Sequence, residues 1–244
     1  MDNITTAFNL VKWAPQLGIE LPKELADILN VLEASKYVEY NLTVVDPKKV
    51  TIKNVQDIIA DRSIEYATLD QFGKAKSEVQ QRLAHAAVII AGEVAPKVRD
   101  EILPRFQNEV TKFVVAVETL GDDLDPNILV RSGADRVHAF NTAVDCSDNI
   151  MAVESWLTSL TNVYRYAAFG YAPAPLRVTR PATRGHYQEI INAVSPTESI
   201  PGHLWFAAKN GVEIFPNLPD ESKLLEQELN AMDVESRPIL VSLR

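Results

Sequence analysis

The chain has 244 residues, of which 46% are hydrophobic and 23% charged, a globular composition with enough length for a sizeable core. Its net charge of −9 argues against a protein that coats nucleic acid, which needs a basic face. A single cysteine, Cys146, excludes an intrachain disulfide and a cysteine-based zinc site. The start of the chain lacks the basic and apolar regions of a signal peptide, and the longest apolar run, Ala86 to Ala91, is too short for a bilayer. The cytoplasm is therefore the expected setting, or an assembled particle were the protein viral, with no membrane insertion.

In chain order, a first helix is predicted from Asn3 to Trp13, ending before Pro15. A second starts at Pro22, carries Leu25, Ile28, Leu29 and Leu32, and ends near Tyr40. Leu42 to Val45 is a strand candidate. Thr51 is placed to cap a helix through Val55, Ile58 and Ile59 toward Tyr66.

The strongest pattern follows. Phe72, Ala75, Val79, Leu83, Ala86, Ile90 and Val94 recur at steps of three or four, as do Leu103, Phe106, Val110, Phe113, Val117 and Leu120. The spacing predicts one helix from Asp70 to about Val94 and a second from about Pro96 to Leu120, broken by Gly92 and Pro96 and closing on each other as an antiparallel hairpin. Gly121 reads as a stop, Asp125 as the cap of a short helix at Pro126, and a further helix is expected from Ala134 to Tyr166.

Beyond Gly170 the character changes, for eight of the 14 prolines lie in this last part. Short helices are predicted over 186–194, 201–209 and 220–232, with strands at 212–215 and 239–243. The fold expected is mainly α: a bundle of long antiparallel helices over residues 1–170, a Pro/Arg-rich connector arm over 171–185, and a small α+β appendage over 186–244.

No nucleotide-binding, hydrolase or metalloprotease motif occurs. His138, Asn141, Asp145 and Asp148 share one helical stripe, and a metal-dependent hydrolase would use His138, Asp145 and Asp148 with acids of another helix such as Glu109 or Glu118. The plainer reading is a solvated face, because a bundle metal site draws ligands from several helices. His85 reads as a boundary residue of an apolar face, and Cys146, between Asp145 and Ser147, as an inert thiol.

One stretch stands apart. Residues 155–188 hold Arg165, Arg177, Arg180 and Arg184 with no acidic residue, and four of the seven tyrosines, Tyr171 and Tyr187 among them. Arginine and aromatic residues supply contact area and directed polar groups at interfaces. Three readings compete: an arm that docks on a neighbouring subunit, a phosphate contact, and a loop that neutralises the acidic body of its own chain. The terminal strand with Ile239, Val241 and Leu243 is placed either to pair with 212–215 or to extend a neighbour's sheet. The function expected is a non-enzymatic structural or assembly subunit working through helical surfaces and the arm, with a viral or phage-like particle as one setting. Copies of itself or other assembly subunits are the expected partners, and no cofactor is expected. A monomeric adaptor that binds a partner helix is the other alternative.

Overall fold

The computed structural model describes residues 3–42, 45–46, 49–122, 124, 126–131, 133–164 and 172–232. It is mainly α, with nine helices among these residues and one two-stranded sheet. The elements are α1 (Asn3–Leu10), α2 (Trp13–Leu17), α3 (Lys23–Lys36), α4 (Val55–Leu120), α5 (Pro126–Arg131) and α6 (Ala134–Val163). A 3-10 turn (Ala174–Arg177), β1 (Thr179–Arg180), α7 (Arg184–Ile191), α8 (Gly202–Lys209), β2 (Glu213–Ile214) and α9 (Pro219–Ala231) follow. The chain divides into two compact units, one of Met1–Val11 with Leu21–Ala91, the other of Lys12–Glu20 with Gly92–Arg244.

In the first unit, α1 and α3 pack against residues 72–91 of α4. Ala7, Leu10, Leu25, Leu29 and Leu32 are buried with Ala84, Ala87, Val88 and Ala91. Polar contacts edge this core. The Asn3 amide meets the His85 ring at 3.3 Å, Lys36 lies over the Phe8 ring, and Lys76 donates to the carbonyls of Lys36 and Val38. His85 thus sits at the boundary expected of it.

In the second unit, α6 runs antiparallel to the C-terminal half of α4. Arg136 donates to the Leu120 carbonyl, Asn149 to Glu109 at 3.1 Å, and the Tyr164 hydroxyl to the Gly92 carbonyl at 3.1 Å. Residue numbers fall along one helix as they rise along the other. The buried seam of Val98, Ile102, Phe106, Phe113 and Val117 joins Ile150, Val153, Leu157 and Leu160 of α6 in the core. Short α2 closes this core: Trp13 stacks edge-on to Trp156 at 5.9 Å and its indole nitrogen donates to Ser159 Oγ at 2.9 Å.

Three expectations change. The predicted helix from Thr51 toward Tyr66 and the predicted helices 70–94 and 96–120 are one element, and the last two form no hairpin with each other, because α4 starts at Val55 and passes through Gly92, Pro96 and Pro104 without a stop. Asp70, read as a cap, is an interior residue of α4 paired with Lys74 at 2.7 Å. The first predicted helix is two helices, α1 and α2. Residues 43–44 of the strand candidate, Asp125 and the strand candidate 239–243 lie outside the described residues. The observed partner of β2 is β1, antiparallel, with Thr179 opposite Ile214 and Arg180 opposite Glu213.

Candidate functional site

The most unusual surface is on α4. From Val55 to Leu83 this helix has no buried residue, and Ala84 is the first. Helices in globular proteins owe most of their stability to a packed apolar face. Part of one side here is half-covered by the unit's own chain, where Tyr40 meets Phe72 at 5.8 Å. The neighbouring face is open. Val55, Ile59, Tyr66 and Leu69 lie on it, Ile59 being 61% exposed and Tyr66 57%. Steps of four, seven and three between these positions keep them on one side of a helix.

Further along the same side come Gly73 and Ser77, which with Leu69 and Gln81 line a shallow groove of about 580 Å³. A Cβ added at Gly73 would meet no atom within 4 Å, so packing within the chain does not require glycine there. Ion pairs flank the face: Arg62 with Glu65, Asp70 with Lys74 and Glu78 with Arg82, at 2.6 to 2.7 Å. Arg62–Glu65 is half-buried and the other two pairs are exposed; exposed helical pairs contribute about 0.3–0.5 kcal/mol each, too little to stand in for a packed face.

The arginine-rich segment turns inward where it is described. Leu176, Val178 and Thr179 are fully buried, so 174–180 is a folded part of the second unit and not an extended arm. Arg177 donates to Thr158 Oγ1 at 2.9 Å and lies 3.7 Å from the Glu154 carboxylate. Arg180 stacks on the Phe215 ring at 3.6 Å, donates to Asn217 Oδ1 at 2.5 Å and lies 3.8 Å from Glu221. Glu221, the third residue of α9, also binds Arg99 at 2.6 Å and accepts from the N–H of the N-cap residue Leu218. The third sequence reading, arginines answering acids of their own chain, describes Arg177 and Arg180. Arg184 donates to the Met232 carbonyl, and Tyr187 is buried with Leu176 and Leu229. Arg165, Tyr171, Ile239, Val241 and Leu243 lie outside the described residues.

His138, Asn141, Asp145 and Asp148 all face solvent along α6, as a solvated face does. Among the described residues no three His, Cys, Asp or Glu side chains converge as metal ligands. Glu109 points instead to Lys112 and Asn149. Cys146 beside it is buried, and burial together with Glu109 pushes its thiol up to about 11, which leaves it protonated and unreactive.

Sequence reading gave no role to Glu154 or His203. The Glu154 side chain is only 8% exposed, and its Oε2 lies 3.9 Å from His203 Nε2, beyond hydrogen-bond reach. Among the described residues neither atom has a hydrogen-bond partner. Burial raises the Glu154 carboxyl, against the pull of Arg177, and lowers His203 to about 4. A cleft of about 280 Å³ between α2, α4 and α6 holds Gln16, Arg105, Glu109 and Asn149. Their polar atoms are engaged: Arg105 donates to the Leu17 carbonyl and Gln16 to that of Ala152.

No helix among the described residues is long and apolar enough to cross a membrane. Comparison with protein-family models, curated proteins and solved structures finds no match. The site is therefore read from its chemistry alone.

Proposed function

We propose that this protein is a non-enzymatic structural or assembly subunit that associates with protein partners through the open face of α4. One observation carries the reading: the helix from Val55 to Leu83 buries no residue while holding Val55, Ile59, Tyr66 and Leu69 toward solvent. Apolar surface left in water forgoes about 25 cal/mol per Å², and a contiguous exposed patch on a folded protein marks an interaction site.

The test is sedimentation of the full chain beside a variant carrying Ile59→Asp and Tyr66→Asp. The wild-type chain is expected to sediment above monomer mass. The variant is expected to be monomeric with an unchanged far-ultraviolet circular dichroism spectrum. Wild-type monomers at every concentration, or assemblies indifferent to both substitutions, would sink the reading.

A further inference from the structure

Resting on that reading, we infer that the partner at this face is a second copy of the chain, lying antiparallel along α4 about a twofold axis at Tyr66. In a twofold contact each residue meets the one equally far on the other side of the axis. Centred on Tyr66, that rule sets Ile59 against Gly73 of the second copy, Val55 against Ser77, and Arg62 beside Asp70. Ile59, Val55, Gly73, Ser77 and Asp70 fall on the open side of α4, and Arg62 stands at its half-buried edge.

Two independent features support this register. The first is size. The N-terminal end of the face is bulky, with Val55 and Ile59, and the C-terminal end, beyond Leu69, is small, with Gly73 and Ser77. Antiparallel pairing puts each bulky residue over a small one and lets the helices approach closely. It also supplies a reason for Gly73. Glycine inside a helix costs about 1 kcal/mol relative to alanine, and the space beside Gly73 is empty within 4 Å. An isoleucine from the facing helix fills that space.

The second feature is charge. Arg62 and Asp70 stand symmetrically about Tyr66, so the twofold brings two oppositely charged pairs together, one at each side of the centre. Asp70 holds Lys74 and Arg62 holds Glu65 within the chain, and each keeps donor or acceptor capacity for a partner. A parallel pairing in register would instead set Arg62 against Arg62 and Gly73 against Gly73. The self-complementarity therefore specifies direction as well as partner.

The experiment uses the full chain and three changes. Asp70→Arg places arginine against Arg62 of the second copy twice and is expected to weaken self-association roughly tenfold in sedimentation equilibrium. The double variant R62D/D70R restores opposite charges and is expected to return the dissociation constant to near the wild-type value. Tyr66→Cys is expected to form a disulfide-linked dimer under mild oxidant. Ile64→Cys, on the opposite side of α4, is expected to stay monomeric on a non-reducing gel, and the buried Cys146 to stay silent.

Assemblies that form yet ignore the Asp70 reversal and give no link at position 66 would overturn the antiparallel twofold while leaving the α4 surface reading intact. A wild-type chain that is monomeric throughout would overturn both.

Discussion

The Tyr164 hydroxyl donates to the main-chain carbonyl oxygen of Gly92 across 3.1 Å. Four residues after Gly92 stands Pro96, which has no N–H to give to that carbonyl. The hydroxyl takes the place of the missing helical donor. An interior proline ordinarily costs about 3 kcal/mol, partly through the acceptor it leaves without a bond. Here the last turn of α6 answers that acceptor, and α4 continues.

Tyr164→Phe is accordingly expected to destabilise the second unit by about 1–2 kcal/mol in urea denaturation. The same change in a Pro96→Ala background is expected to cost clearly less, because the restored amide then serves Gly92. Equal costs in the two backgrounds would show that hydroxyl and proline are uncoupled.

The region around His203 sets a pH dependence. His203 is held neutral by burial, with its folded value near 4 against about 6.5 when unfolded. Unfolding then takes up a proton between those values, so stability is full above about pH 6.5 and falls as pH drops toward 4, by roughly 3 kcal/mol in all. Glu154 has the opposite sign: its folded value is raised, so its contribution is present below the ordinary carboxylate value and is lost as pH rises through the folded one. His203→Asn should flatten the acid limb of a melting-temperature profile. Glu154→Gln should remove the decline on the way from acid to neutral. Profiles parallel to wild type in both variants would refute these assignments.

Arg177, Arg180 and Arg184 give a third expectation. A docking arm predicts that reversing all three to glutamate abolishes assembly while leaving an intact monomer. Arg180 instead stacks on Phe215 and binds Asn217, and Arg177 faces the buried Glu154 carboxylate. Substitution of Arg180 or Arg177 alone is therefore expected to lower the melting temperature, with Arg177→Glu the more damaging because it sets two carboxylates together. Arg184→Glu, at an exposed contact, is expected to be nearly neutral.

Gly202 provides a fourth. A Cβ there would collide with the backbone of Ala193 and Val194, so the entry to α8 has no room for alanine. Gly202→Ala is expected to cost about 1–3 kcal/mol in thermal or urea unfolding. Gly121→Ala is limited by its φ of +70° and not by space, since nothing lies within 4 Å, and it should cost less.

Much of this architecture was legible in the sequence. The seam from Phe72 to Leu120 is readable because a helix repeats its buried side every few residues, and α6, α8 and α9 carry similarly local signals. The continuity of α4 was not readable. Gly92 and Pro96 are genuine local stop signals, and what overrides them is a hydroxyl in the C-terminal cap of α6, brought near only by the fold. The arginine segment misled for a related reason: its acidic partners Glu154 and Glu221 fall outside the stretch, Glu154 just before it and Glu221 well beyond it, so the stretch by itself reads as unbalanced charge. The open face of α4 was half visible. Its apolar residues are plain in the sequence, but their failure to be covered appears only in the structure.

Trp13 and Ser159, joined in the second unit, lie 146 positions apart. During synthesis the indole emerges from the ribosome long before the segment that shelters it has been translated. For most of that interval a large apolar ring has no native neighbour, and long-range contacts of this kind slow folding and invite mispairing. The docking of α2 therefore waits on the translation of α6, whatever the order in which the rest of the unit forms.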